Sequence, residues 1–528
     1  MRNLFAGIDC STQSCKLVVI DIDDQELLFS DLVNYDNDLP QYQTQNGVMA
    51  NAAFGVSESN PLMWIDALNI LFQRLKKSSV PQHEIKSISV SGQMHGLVCL
   101  DEAGNLSRPY SKLWNDFSTQ TECELLTEAV GGLEAMIAEV GNSQRTGYTA
   151  SKIFHLVRYE PEIYAKTATL FLVHNYINWY LTGGKNRGVR VMEPGDVSGM
   201  ALWHPGKRKW SDRVVQAIAP DLTSKLPPLK PSDQSIGLLS AELVKKYGFS
   251  AECKIDAGCG DNMYGAVGTG NVVPGIVTIS LGTSGTAYTF LEKAFIDPKG
   301  DIGAFCDSTG NHLPLLCVSN LANGYNALLE QFNFTHDQFS EIIKQTDPGA
   351  DGKLLLPWFG GERTPDVPLA TTVYLGFQLD EFNPANLCRA VLDGHILNLF
   401  DGFERMPVQP REIRLTGGLS RSEAWRQTIA DVFETEVVPV QGEGAALGAA
   451  LHAAWVYLEE CGSKVSLEHL AQPFVNLQES ARKKPLPSNV ARYSIVKKIF
   501  QSLSLAVRGC KPDADIFALR NELISTLN

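Results

Sequence analysis

Two short stretches about half the chain apart are built alike, and they constrain the fold more than anything else in the sequence. LFAGIDCSTQSCKLVVID, residues 4–21, carries an apolar run to Gly7-Ile8-Asp9, turns through Ser11, Thr12, Gln13 and Ser14, and resumes at Leu17. GIVTISLGTSGTAYTFL, residues 275–291, repeats the device around Gly282, Thr283, Ser284 and Gly285. Each reads as a β-hairpin with a hydroxyl-rich turn. One such hairpin at the head of each half predicts two similarly built domains. The chain's 528 residues also exceed the roughly 250–300 at which a single core stops growing. Domains are expected over 1–255 and 256–460, followed by a helical extension over 461–528.

Charge and cysteine usage narrow the function. A formal net charge of −14 argues against a nucleic-acid or anionic-membrane partner, which needs basic surface. The eleven cysteines form no C-x-x-C pair and no cluster with histidine, which predicts reduced thiols in a cytoplasmic protein. The longest apolar stretch, Ala445–Leu458, carries His452 and falls short of the roughly 18 residues that span a membrane. The first ten residues turn acidic too early for a signal peptide.

Both turns suit a phosphate. Successive backbone N–H groups, a glycine allowing close approach, and Ser/Thr hydroxyls can hold a polyanion without a lysine cluster. This assigns Ser11, Thr12 and Gln13 to one phosphate turn, and Gly282, Thr283 and Ser284 to the other. The P-loop sequence G-x-x-x-x-G-K-[ST] is absent. A third glycine site lies in EIRLTGGLSRSEAWRQTIADVFETEVVPV, residues 412–440. There a strand ends at Gly417-Gly418 and a helix opens at about Ser422, an arrangement on which a nucleotide can rest. The plainer reading is that Ser422 caps the helix and the glycines turn the chain.

Phosphoryl transfer to an alcohol needs a base beside the accepting hydroxyl and Mg²⁺ at the phosphates. Asp261, in KIDAGCGDNMYGAVGTG, follows a strand and opens a helix, so it can face a cleft as base or cap the helix. Asp256, earlier in the strand, is a rival with a more structural position. Asp9, at the end of its strand, suits Mg²⁺, which keeps waters and uses one or two carboxylates. A sugar pocket needs fixed polar groups. Gln93, Met94 and His95, at the turn of an expected hairpin over 85–101, form one set; Trp114-Asn115-Asp116 and Arg145 are others. Helical periodicity marks Leu62–Leu75, Lys152–Tyr159, Ser422–Phe433 and Val490–Leu505.

In this order the motifs resemble the FGGY family of carbohydrate kinases over nearly all of residues 4–455. GIDCSTQSCKLVVID and ISLGTSGTAYT resemble its two phosphate hairpins. SGQMHGLVCLD with LWND resembles its sugar motif, GCGDN its catalytic-aspartate segment, and LPWFGGERTP its interdomain loop. GFQLDEFNPANLCRAVLDG and RLTGGLSRSEAWRQTIADVF resemble the closing signature and the adenosine site. The resemblance implies an α/β fold of two ribonuclease-H/actin-like domains facing a central cleft, sugar mainly on the first and ATP on the second. It implies Asp261 as catalytic base, with Met94, His95, Arg145, Asp261 and Asn262 at the sugar, and Gly417, Gly418 and Ser422 at the nucleotide. ATP and Mg²⁺ would be the cofactors and a small-molecule sugar the partner, with a homodimer expected by analogy.

QMHG and the STQ turn are similar to members that act on D-xylulose, which implies phosphorylation to D-xylulose 5-phosphate. Ribulose, fuculose or glycerol are the alternatives within the family. A non-enzymatic actin-like ATP-binding protein would keep both hairpins but has no need of QMHG or GDN. Two positions depart from the family pattern: His155 stands where tryptophan is usual, and Glu193-Pro194 precede GDVSGM, which contains Asp196.

Overall fold

The computed structural model describes residues 2–50, 52–442 and 444–525. It divides into two compact units. One holds the chain up to Val273 with Phe290–Pro314 and Gly442–Val475; the other holds Pro274–Thr289, Leu315–Gln441 and the chain from Asn476. The units therefore do not follow the expected limits at 255 and 460. The first runs on past Asp261, and the expected C-terminal extension is shared between both.

The first unit's sheet contains β1 (Leu4–Cys10), β2 (Ser14–Asp21), β3 (Glu26–Asn34), β4 (Ile85–Gly92), β5 (Ser235–Leu238), β6 (Lys254–Asp256) and the short β7 (Cys259–Gly260). Their order is β5-β6-β4-β1-β2-β3, with β7 also on β4. Strands β1, β2 and β3 form an antiparallel meander, β4 and β6 add in parallel, and β5 closes the edge antiparallel. The second unit contains β8 (Ile276–Leu281), β9 (Gly285–Thr289), β10 (Leu315–Val318), β11 (Glu412–Thr416), β12 (Val437–Gln441) and β13 (Asn476–Leu477). Its order, β10-β9-β8-β11-β12-β13, repeats the same plan strand for strand. The duplication read from the two hairpins is thus a duplication of whole sheets.

One expectation fails. Residues 85–101 do not form a hairpin: β4 pairs in parallel with β1, while Val98–Leu100 pairs with Thr169–Phe171 in a separate two-stranded sheet. Almost every position of β4 is buried, as a central parallel strand requires, and its alternation was only superficially that of a hairpin arm.

The predicted helices form as α1 (Pro61–Lys77), α2 (Thr149–Tyr159), α4 (Glu423–Phe433) and α6 (Pro487–Val507), with α3 (Asp261–Gly268) and α5 (Gly444–Glu460) between. Helix α1 shows why: the Asn60 side chain accepts from the Leu62 N–H, Pro61 opens the first turn, and Arg74, Lys76 and Lys77 lie in the last turn near the C-terminal carbonyls. Among the described residues no helix is long and apolar enough to cross a membrane. All eleven cysteines are free thiols.

Candidate active site

In the first unit three strand ends lie side by side. Cys10 pairs with Gly92, and Gly92 with Gly260, so the residues that follow, Ser11, Gln93 and Asp261, leave the sheet along one edge. Carboxyl ends of parallel strands are where α/β sheets hold ligands.

Asp261 opens α3 as its first residue, after Gly260, and does not itself occupy the cap position. Its carboxylate accepts from its neighbour Asn262, from the backbone N–H at 2.8 Å and from Nδ2 at 2.9 Å. It lies deep among protein atoms yet keeps some accessible surface. Burial, then the negative charges of Asp9 and Asp196, push its pKa up to about 8. Asp9 accepts from Ser11 Oγ at 2.6 Å and Ser91 Oγ at 2.7 Å, and burial outweighs these bonds to raise its pKa too. The rival Asp256 is fully buried, accepts from Ser87 Oγ at 2.8 Å, and sits 3.6 Å from His452, a structural role.

The turn Gln93-Met94-His95 is buried beside this carboxylate. Met94 Sδ receives Asn262 Nδ2 at 3.6 Å, which joins two predicted sugar residues directly. His95 has a left-handed backbone, φ 67°, uncommon for a residue with a side chain. Both of its peptide groups are held: its N–H donates to Asp196 at 3.3 Å, and its carbonyl accepts from Thr149 Oγ1 at 3.1 Å and Lys152 Nζ at 2.9 Å. Its ring packs edge-on to Tyr148 at 5.0 Å. Arg145 lies in the segment leading to α2. There it donates to the Gly300 carbonyl and to Asp301.

Several residues of this site were given no site role from the sequence. Lys152 is wholly buried, which lowers its pKa to about 7, yet two carbonyls hold its ammonium group. The unusual Glu193 caps the short helix Pro194–Val197 by accepting from the Gly195 and Asp196 N–H groups, and so presents Asp196 to His95. His174 bridges Glu193 and Asp196 at 3.6 and 3.4 Å. The available signal was polar residues inside otherwise apolar segments, such as His174-Asn175 in FLVHNYINWYL. His155, the other departure, packs against Tyr159.

The second unit carries a cavity of about 860 Å³ whose walls include Gly282, Thr283, Gly418, Arg421, Ser422 and Gln427. Ser280 pairs with Thr416, so the turn after β8 and the glycines after β11 again leave adjacent strand ends. Gly417 has φ 85°, and a Cβ there would lie 2.3 Å from the Leu281 carbonyl; Gly418 faces open space. Ser422 stands at the cap position of α4 but its side chain makes no capping bond, and its buried Oγ has no hydrogen-bond partner among the described residues. Ser284 supports the turn by accepting from the Gly282 N–H at 3.2 Å. Neither Ser284 nor Gly417 is among the residues that line the cavity.

Comparisons with known proteins agree with this geometry. The N-terminal domain of the FGGY family of carbohydrate kinases matches residues 4–268 and its C-terminal domain residues 277–457. A xylulose kinase of Haemophilus influenzae is 35% identical over 93% of this chain and 97% of its own length. A xylulose kinase of Bacillus subtilis is 29% identical over 94% and 96%. The crystal structure of xylulose kinase from Bifidobacterium adolescentis superposes with a TM-score of 0.78 at 25% identity, covering 93% of this chain and 99% of that one. Two repeated sheets, a half-buried aspartate at the strand ends of one, a cavity at the other, and family matches to both halves lead to one conclusion: the chain belongs to the FGGY family of carbohydrate kinases, with the two-domain actin-like α/β fold.

Proposed function

We propose that this protein transfers the γ-phosphoryl group of ATP to D-xylulose, giving D-xylulose 5-phosphate and ADP. The observation that carries the reading is Asp261, a deep carboxylate with a pKa of about 8 beside a buried sugar-type turn. The relatives named xylulose kinase align over nearly the whole chain and support the choice of sugar. Carbohydrate kinases of this family use ATP as donor. Asp261 accepts the proton of the sugar's terminal hydroxyl; that oxygen bonds to the γ-phosphorus as the bridging bond to the β-phosphate breaks, and ADP leaves. Gln93, Met94, His95, Arg145 and Asn262 orient the sugar. Gly282, Thr283, Gly418 and Ser422 receive the nucleotide, with Ser11 and Gln13 at the transferring phosphate.

The donors at the strand ends fit Mg²⁺. Asp9 is a hard oxygen ligand, and its negative charge, which adds to burial in raising the Asp261 pKa, is what a divalent cation neutralises. Among the described residues no cluster of three acidic, histidine or cysteine groups offers an all-protein cage, which also suits an ion that keeps its waters. Bound there, Mg²⁺ would neutralise charge on the phosphates; Asp9 would hold it through water.

Coupled ADP release across D-xylulose, D-ribulose, L-ribulose and glycerol tests the substrate. The specificity constant for D-xylulose is expected to exceed the others by tenfold or more, because a pocket that hydrogen-bonds each hydroxyl disfavours analogues that leave its polar groups unpaired. A tenfold preference for any of the other three sinks the assignment.

A further inference from the structure

The first hairpin turn is wired to the sugar turn. Trp114 Nε1 lies 2.9 Å from Thr12 Oγ1, and an indole N–H only donates, so the hydroxyl oxygen accepts there. The hydroxyl's own proton then goes to Gln93 Oε1 at 3.1 Å. The Thr12 backbone is enclosed as well: a Cβ on Gly47 would sit 1.9 Å from its carbonyl oxygen. The proton that the Thr12 hydroxyl could offer a phosphate is thus already engaged on the sugar side.

At the far end of the chain of bonds, Gln93 is wholly buried, and its backbone N–H donates to the Cys10 carbonyl at 2.9 Å. With Oε1 turned to Thr12, the amide must direct Nε2 the other way. Nε2 is buried and has no hydrogen-bond partner among the described residues. A buried donor without an acceptor is unfavourable, and a bound oxygen removes the penalty. Gln93 follows Gly92, the register partner of Gly260, and so stands one strand away from Asp261.

We propose that Thr12 is a positioning residue for the sugar: held by Trp114, it orients the Gln93 amide so that Nε2 donates to a carbonyl or hydroxyl oxygen of the bound ketose. The inference rests on the sugar-kinase reading above. It gives the Thr12 hydroxyl a role on the sugar side and adds Trp114 to the specificity apparatus.

Steady-state kinetics of three variants test it. Thr12→Val keeps the side chain's shape but removes both hydrogen bonds; sugar KM is expected to rise about tenfold while ATP KM stays within about twofold. Thr12→Ser, which retains the hydroxyl, should restore the wild-type sugar KM. Trp114→Phe, which removes only the indole donor, should raise sugar KM in the same direction. A valine variant whose ATP KM rises while its sugar KM is unmoved overturns the proposal and returns Thr12 to the phosphate. Equal sugar KM in all three folded variants also overturns it while leaving the kinase reading intact. A wild-type protein that phosphorylates no sugar of the panel overturns both.

Discussion

Asp261 concentrates the chemistry in one titration. Its folded pKa of about 8 lies well above the 3.8 of an ordinary aspartate, so between those values the folded protein holds a proton that the unfolded chain has released. Two consequences follow with fixed sign. On the proposed reading activity needs the ionised base, so kcat/KM for the sugar should rise with pH toward about 8 and level off above it. A profile flat from about pH 5 to 9 would remove Asp261 from the proton transfer. Stability runs the other way, since the buried charge costs more as it forms. Asp261→Asn is therefore expected to lower turnover by roughly 10²–10⁴-fold. It should also raise Tm relative to wild type at pH 8 and above, with the difference vanishing near pH 4. Turnover within threefold of wild type, or no gain in Tm at high pH, would contradict this account.

At the scale of elements, the β8–β9 hairpin is the second unit's counterpart of the β1–β2 hairpin, and on the proposed reading it receives the nucleotide's phosphates. A Cβ at Gly282 would meet only the Ser284 carbonyl, at 3.2 Å, with the cavity otherwise open around it. Gly282→Val should leave the fold intact and place methyl groups where a phosphate must approach. ATP affinity is expected to fall roughly tenfold or more, a loss of at least about 1.4 kcal/mol. Sugar affinity, set by residues of the other unit, should hold. Calorimetric titration of both ligands against the folded variant checks this, and an unchanged ATP affinity would exclude the hairpin from phosphate binding.

At the scale of the whole molecule, neither unit is one continuous piece of chain. Helix α5, from far along the sequence, belongs to the first unit: Tyr457 packs on Phe5 at 5.5 Å between ring centres, and His452 meets Tyr264 and Asp256. Strand β13 and helix α6 return to the second unit, where Tyr493 donates to Asp393 at 2.8 Å. A fragment of residues 1–255 is accordingly expected to lack cooperative unfolding and to expose its sheet, because the helix that covers β1 is missing. Dye binding and a thermal melt would show this; a sharp, dye-free transition in the fragment would show that α5 is dispensable.

The sequence by itself determined what depends on neighbours along the chain. Hairpins signalled by a hydroxyl turn between apolar runs, helices with their periodicity and caps, and Asp261 between a strand and a small-residue helix were all legible for that reason. So was the duplication, because both copies of the hairpin keep the same local pattern. Only the tertiary structure decided what depends on partners distant in sequence. Strand β4 read as a hairpin arm because alternation reports burial and not the identity of the pairing strand. The limits of the units were hidden because α5 and β13 join sheets begun hundreds of residues earlier. Glu193, His174 and Lys152 gave no motif, since their roles lie in holding His95 and Asp196 across space. The Thr12 hydroxyl, in a turn that suits a phosphate, bonds to Trp114 and Gln93, partners that no local pattern encodes.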